Sequence, residues 1–165
     1  AFAVAPAYLT AMREGLPAGL VSFPDYGIEL SRPFRALKLW LALRCHGVKP
    51  FAAAVARNID QAAYLARSIS MRPELELAAP APLNVVCFRY RRAGLSEAAL
   101  DALNAKILRT LQDTGQATPS MTKLKGKFLM RVAITNHRSS FDDCDILVNA
   151  VLRLGDELAR EFQPA

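Results

Sequence analysis

The chain has 165 residues, of which 52% are apolar and 22% are charged, and its formal net charge is +6. This length is enough for one or two compact units, and the high apolar share excludes a disordered chain. The basic residues are scattered, with one short cluster at Lys123–Lys127. A nucleic-acid-binding face needs a basic stripe with interleaved aromatic residues, and a membrane span needs a longer apolar run. We therefore expect neither nucleic acid nor a membrane as a partner.

The cysteines and histidines do not form a recognisable site. Cys45, Cys87 and Cys144 are odd in number, far apart and set in apolar segments, which is typical of buried thiols in a reducing cytosol. His46 and His137 stand alone, and a zinc site would need more ligands. We expect no metal site and a cytoplasmic protein.

The first 25 residues contain three prolines and two glycines, so they are predicted to form a loop after a short apolar strand end. Tyr8 is the residue there whose phenol can transfer a proton. From the residues alone, we interpret Tyr8 as a half-buried anchor of the loop, with proton transfer as the alternative. The absence of an initiator methionine suggests a chain cut from a longer one.

The segment 27–40, GIELSRPFRALKLW, is predicted to start a helix at Pro33, with Ser31 at or beside the N-cap. The helix is apolar on nearly all sides, which favours burial in a large core or in an interface. A glycine at position 47 ends it. A second helix is predicted from about Pro50 to Ser70. Its expected core stripe contains Phe51, Val55, Ile59, Ala62 or Ala63, and Ile69.

The remaining residues predict two strands, a helix, two more strands and a last helix. The first strands are Glu74–Ala78 and 84–91, with Val85, Cys87 and Phe88 expected to face inward. Ser96 and Ser140 are predicted to cap the two helices, and the LKGK turn joins the last two strands. The expected buried stripe of the first helix is Leu100, Leu103, Ile107, Leu108 and Leu111, and that of the last helix is Cys144, Leu147, Val148, Val151, Leu158 and Phe162. Strands with helices on one face indicate an α+β fold with an antiparallel four-stranded sheet.

Arg131 lies mid-strand in KFLMRVAIT. Alternation along the strand favours a solvent-facing side chain, and burial with a partner is the alternative.

The segments AFAVAPAYL, LSRPFRALKLWLALRCHGV and KGKFLMRVAITNHRSSFDD occur in the order found in the group II pyridoxal-phosphate (PLP) decarboxylases, the aromatic amino acid and histidine decarboxylase family, and the chain resembles that family over essentially its whole length. The resemblance implies the C-terminal part of a type I PLP-dependent transferase fold. It places the end of the large PLP domain with its active-site loop at 1–32, two linking helices at 33–72 and the small domain at 73–165.

The resemblance also implies roles for individual residues. Tyr8 matches the mobile-loop tyrosine that protonates the substrate carbon after carbon dioxide leaves, reaching the active site across a dimer interface. Leu30 and Ser31 match substrate-pocket positions, and a serine there favours a phenolic or imidazole side chain over an indole. Arg32, which is followed by a proline where the family often has a second arginine, and Arg131 are expected to be structural or domain-junction residues.

The function implied by the resemblance is decarboxylation of an L-amino acid to an amine, a lyase reaction of carboxylic acid metabolism, with PLP held mainly by an upstream large domain. That domain would also supply the Schiff-base lysine, so the segment alone is expected to be inactive. The implied assembly is a homodimer. The competing hypothesis is an isolated α+β interaction module without catalytic activity.

Overall fold

The computed structural model describes residues 33–162, and the chain divides into two compact units, 1–47 and 48–165. In the first unit, helix α1 spans Ala36–His46. None of its residues is buried, and Phe34 and Trp40 beside and within it are 71% and 56% exposed. Burial in a core is therefore not found for this helix, and the interface alternative stays a prediction.

The start of α1 differs from the predicted start. Arg35 occupies the N-cap, without a side-chain cap, so Ser31 is not the N-cap of this helix. Pro33 O instead accepts from Arg35 N at 2.8 Å, which forms a tight turn before the helix. The C-terminal end agrees with the sequence, because Gly47 has a φ of 75°, a conformation that favours glycine.

The second unit contains a four-stranded antiparallel sheet with helices on one face, which confirms the predicted fold class. The sheet order is β1-β2-β4-β3. The elements are α2 (Val48–Ser70), β1 (Leu75–Leu77), β2 (Val85–Tyr90), α3 (Glu97–Asp113), β3 (Ser120–Leu124), β4 (Lys127–Ala133), α4 (Phe141–Leu158) and a 3₁₀ turn (Ala159–Phe162). Lys125 and Gly126 have φ values of 52° and 80°, as a two-residue hairpin turn requires.

Strand β2 faces the core with Val86, Phe88 and Tyr90, each fully buried. The prediction for Phe88 is confirmed, but Val85 and Cys87 point to the opposite face and are exposed and half-buried. The first residues on both faces of this strand are apolar, so the alternation of apolar and polar residues did not identify the buried face.

Helix α2 also buries a different face from the one predicted. Phe51 and Val55 are 38% and 58% exposed. The buried residues are a mixed polar and apolar set: Asn58, Gln61, Ala62, Leu65, Ser68 and Ile69. Ala62 and Ile69 are therefore the confirmed part of the predicted stripe.

The caps and stripes of α3 and α4 match the sequence. Ser96 Oγ accepts from Ala99 N, and Ser140 forms a capping box with Asp143. All five predicted core residues of α3 are buried: Leu100, Leu103, Ile107, Leu108 and Leu111. Helix α4 is tied to α2 by Tyr64, whose hydroxyl donates to Asp145 at 2.9 Å.

Asn104 on α3 completes the sheet where β4 no longer pairs with β2. Its Oδ1 accepts from Tyr90 N at 2.7 Å, and its Nδ2 donates to Tyr90 O at 2.9 Å and to Leu100 O at 2.8 Å. The buried amide thus pairs with the Tyr90 peptide as a neighbouring strand would, and it leaves no polar atom unsatisfied.

Arg89 lies on the face of β2 opposite the core and is 1% exposed. Its Nε donates to Glu76 on β1 at 2.8 Å, and its two terminal nitrogens donate to Glu97 on α3 at 2.7 and 3.2 Å. Lys127 Nζ reaches the other Glu76 oxygen at 3.2 Å. The hydrogen bonds with Glu97 raise the pKa of Arg89 and lower the pKa of Glu97. Burial raises the pKa of Glu76, but the bonds from Arg89 and Lys127 outweigh it, so its net pKa is lowered.

Gly155 on α4 lets the helix approach Tyr90 closely. A Cβ atom at this position would lie 2.6 Å from Tyr90 Cζ and still nearer to Cδ2 and Cε2. The ring is fully buried and its hydroxyl donates to Asp156 at 2.8 Å, so it cannot move aside easily. Burial, followed by this bond, raises the pKa of Tyr90 to about 12.

We predict that Gly155→Ala destabilises the protein by about 1–3 kcal/mol, the usual cost of overpacking a core. Alanine favours a helix over glycine by about 1 kcal/mol, so a stability gain would contradict the assigned contact. The measurement is urea unfolding followed by circular dichroism. In the control, the double variant Gly155→Ala/Tyr90→Leu should lose less than the sum of its two single variants.

We predict that Arg89→Met lowers the free energy of unfolding by about 1–3 kcal/mol, because methionine cannot make the charged hydrogen bonds that the buried guanidinium gives to Glu76 and Glu97. Arg91→Met is the matched control, since Arg91 is 58% exposed and its Nε lies 3.7 Å from the same Glu76. This exposed pair should contribute less than about 1 kcal/mol. If Arg89→Met and Arg91→Met lose the same free energy of unfolding, the buried ion pairs of Arg89 do not stabilise the protein more than an exposed pair does.

The pH dependence gives an independent check of the same cluster. The pKa of Glu76 is lower in the folded protein than its ordinary value of 4.5. The ionised Glu76 side chain therefore contributes fully to the folding stability above pH 4.5, and this contribution is lost as the pH falls through the pKa of the folded state. Unfolding at a series of pH values below 4.5 should therefore show a steeper loss of stability in the wild type than in Arg89→Met.

Candidate functional site

Four of the predicted site residues lie outside the described part of the chain. Tyr8, Leu30, Ser31 and Arg32 all precede residue 33, where the description begins. Their roles therefore stay predictions.

Arg131 is the predicted site residue that the structure describes. It lies on β4, opposite Cys87 of β2 and Ser120 of β3, on the sheet face away from the helices. The side chain is exposed, and its Nε donates to Ser120 Oγ at 3.0 Å. No carboxylate of residues 33–162 forms an ion pair with it. The exposure agrees with the alternation of the strand, whereas a role at a domain junction stays a prediction.

The three cysteines occupy different environments. Cys45 is exposed, so the prediction that it is buried is wrong, and the reason is that no residue of α1 is buried. Cys87 is half-buried and Cys144 is buried. Burial, followed by the charges of Asp145 and Asp143, raises the pKa of Cys144 to about 11. Its thiol is therefore protonated at neutral pH and is not an activated nucleophile.

Metal and membrane sites can be assessed for residues 33–162. In this range, no three histidine, cysteine, aspartate or glutamate side chains come close enough together to hold a metal ion. Nor does any helix in the same range combine the length and apolarity needed to cross a membrane.

A cavity of about 280 Å³ lies between α2, the end of β4 and the start of α4. Its lining contains both polar and aliphatic residues: Gln61, Leu65, Gln116, Ala117, Thr118, Pro119, Val132, Ala133, Ile134, Ser139, Ser140, Asp143, Cys144 and Leu147. Sequence reasoning missed this site. One signal in the sequence was the spacing of Asn58, Gln61 and Ser68 in α2. This spacing places the three polar residues on the same helix face as Leu65.

Pyridoxal phosphate requires a lysine facing a cavity, because the cofactor is held through a Schiff base. No lysine lines the cavity described above or the second cavity, of about 310 Å³, beside Pro80, Leu83 and Cys87. Lys106 and Lys127 instead pair with Glu161 and Glu76. Neither of these two cavities therefore fits this group.

Comparisons with known proteins identify the family. The family model "Pyridoxal-dependent decarboxylase conserved domain" matches residues 1–91, more than half of the chain. An aromatic-L-amino-acid decarboxylase of Bacillus atrophaeus is 30% identical over 145 residues, which are 87% of this chain and 30% of the relative. A phenylacetaldehyde synthase of Petunia hybrida is 29% identical over 139 residues, covering 80% of this chain and 28% of that one.

A solved structure has the same fold. The crystal structure of Oryza sativa TDC with PLP and tryptamine superposes with a TM-score of 0.74 and 24% identity over 81% of this chain. The match covers 29% of that protein, so the chain spans about three tenths of the length of these relatives. Together with the matched family model, these results show that the chain belongs to the pyridoxal-dependent decarboxylases, a family of lyases whose cofactor is pyridoxal phosphate.

Proposed function

We propose that this chain is the C-terminal segment of a decarboxylase that converts an L-amino acid with an aromatic or imidazole side chain into an amine and carbon dioxide. The observation that carries the proposal is the family match over residues 1–91, which includes Tyr8, Leu30 and Ser31. The Bacillus atrophaeus relative, named for aromatic L-amino acids, supports the substrate class.

In the proposed reaction the bond from the substrate carbon to its carboxylate breaks, and carbon dioxide leaves without the bonding electrons. Pyridoxal phosphate, when bound to the complete protein, supplies the electron sink for this step. Tyr8 donates its phenolic proton to the same carbon, and the amine product is released. Leu30 and Ser31 shape the substrate pocket. Arg32 and Arg131 act as structural or domain-junction residues. For Arg131, a salt bridge to the substrate carboxylate would oppose the loss of that carboxylate as carbon dioxide.

The proposed assembly contains an upstream large domain that carries the Schiff-base lysine and the main cofactor contacts, in a cytoplasmic homodimer. The exposed apolar residues around α1 support an additional interface. Trp40 is 56% exposed and Leu39 is 62% exposed, and aromatic and aliphatic side chains in such a patch are typical of contact surfaces. Without the upstream domain, the 165-residue chain is expected to be inactive.

The alternative is an isolated α+β interaction module without catalytic activity. It is favoured by the same exposed helix and by the complete hydrophobic core of the second unit. Denaturing intact-mass spectrometry after borohydride reduction separates the two functions. A longer or second chain carrying the mass of pyridoxal phosphate supports the decarboxylase, and a single 18.1 kDa chain supports the module.

We predict that Tyr8→Phe in the complete enzyme lowers amine formation by at least about 100-fold, the usual contribution of a general acid. Consumption of substrate with formation of an aldehyde would also support the role. Chromatography of the products with tyrosine as substrate measures both. Tyr26→Phe, in the same N-terminal region, is the matched control and should keep the wild-type amine yield. An unchanged yield in Tyr8→Phe would remove Tyr8 from the mechanism.

We predict that Ser31→Gly shifts the ratio of kcat/KM for tryptophan over tyrosine upward by about two- to tenfold, because it widens the pocket and removes a hydrogen bond. Competition assays with both amino acids measure this ratio. Ser22→Gly is the control for a general effect of glycine in the same region. If the ranking of substrates is identical in Ser31→Gly and the wild type, Ser31 does not line the pocket.

A further inference from the structure

Helix α2 changes its surroundings along its length. Val48, Val55, Ala62 and Ile69 recur every seven residues and therefore lie along one face of the helix. Ala62 and Ile69 are fully buried in the core of the second unit, whereas Val48 and Val55 are 67% and 58% exposed. The apolar stripe of α2 thus continues beyond the core that covers its second part.

The first part of α2, residues 48–57, is apolar on nearly all sides. Its sequence is VKPFAAAVAR, with charges at Lys49 and Arg57 and none between them. None of these residues is buried. The second part instead has exposed charged residues, Asp60 and Arg67, opposite its buried face. Such an amphipathic helix needs one covered face, whereas a helix that is apolar all round is typical of the interior of a larger protein.

The family match favours one partner for residues 48–57. The model of the conserved domain covers residues 1–91, so it includes all of α2 and ends before α3. Most of the core that buries the second part of α2 lies beyond that end, in α3, β4 and α4. In the Bacillus atrophaeus relative the match covers 30% of the length, so about 70% of that protein lies outside it. That much chain is enough to form a core of its own.

We propose that residues 48–57 dock against the upstream domain of the same polypeptide, which presents an apolar surface to them. Helix α2 then belongs to two cores, with residues 48–57 in the core of the upstream domain and the rest in the core of the second unit. Because this contact requires the upstream domain, it rests on the proposed function. A second copy of the chain and residues 1–47 are the alternative occupants, and thiol labelling separates them from the upstream domain.

The first test compares the rate at which a thiol at position 55 reacts with a maleimide at pH 7 in the 165-residue chain and in the complete protein. Val55→Cys is combined with Cys45→Ser and Cys87→Ser, because Cys45 is exposed and Cys87 is half-buried, whereas Cys144 is buried. We expect the introduced thiol to react at least about tenfold more slowly in the complete protein, since the reaction then requires local opening. Mass spectrometry of tryptic peptides assigns the label to its position.

Ile146→Cys, in the same background, is the matched control. Ile146 is 53% exposed, close to the value of Val55, and it is not among the buried residues of α4. Its thiol should react at the same rate in both proteins. Equal rates for Val55→Cys in the two proteins, or equal protection of both thiols in the complete protein, would overturn the proposal.

The alternative occupants give a different result. A second copy or residues 1–47 would already protect Val55→Cys in the 165-residue chain, and sedimentation velocity distinguishes the dimer from the monomer. Either outcome contradicts docking to the upstream domain. Denaturing intact-mass spectrometry tests the proposed function separately. Without a longer or second chain both proposals fail, whereas with one the labelling rates alone decide whether residues 48–57 are the docking surface.

Thermal unfolding of Val55→Asp gives an independent check. In the complete protein this change buries a carboxylate in the docked surface and should lower the Tm by about 5 °C or more. In the 165-residue chain the side chain stays exposed, so the Tm should stay within about 2 °C of the wild type. Ile146→Asp should change neither Tm by more than about 2 °C. Equal shifts for Val55→Asp in the two proteins would contradict the docking.

Discussion

The position of helix α3 against the sheet depends on the buried guanidinium of Arg89. Glu76 comes from β1 and Glu97 from α3, so one side chain connects two elements that flank β2. Exchanging such a group for a well-packed apolar residue can be neutral, whereas removing one partner is costly. The constraint is therefore one of geometry: other placements of α3 would leave Arg89 buried without its carboxylates. Asn104 lies about two turns further along the same face of α3 and fixes the same register through its hydrogen bonds to the Tyr90 peptide.

The strand order places a further demand on helix α3. Strand β4 pairs antiparallel with both β2 and β3, so β2 and β3 run parallel with β4 between them. The connection from β2 to β3 must then cross the sheet, and α3 provides the crossing as a split β-α-β unit. Asp101 on α3 also accepts from Phe128 N at the start of β4. The crossing helix is thus hydrogen-bonded to β2 through Asn104 and to β4 through Asp101.

The sequence predicted the elements that have one polar and one apolar face. Leu103 and Ile107 recur at helical spacing and are buried as expected. The sequence did not predict which face of β2 is buried, because Val86 and Cys87 are both apolar and lie on opposite faces. The buried face is determined by the helices that pack against the sheet, and a local pattern does not contain that information. Arg89 gave no local signal, since its carboxylate partners lie 13 residues before it and 8 residues after it. For the candidate site, Tyr8 and Ser31 came from the family resemblance and not from residue patterns.

The contact between α2 and α4 depends on the capping box of α4. Ser140 Oγ accepts from Asp143 N, and Asp143 Oδ2 accepts from Ser140 N at 2.8 Å, so the first turn of α4 satisfies its own polar groups. Gln61 on α2 donates to Ser139 O at 2.6 Å, directly before this cap. Because the cap fixes the direction in which α4 begins, it also places Cys144 and Leu147 against the buried face of α2.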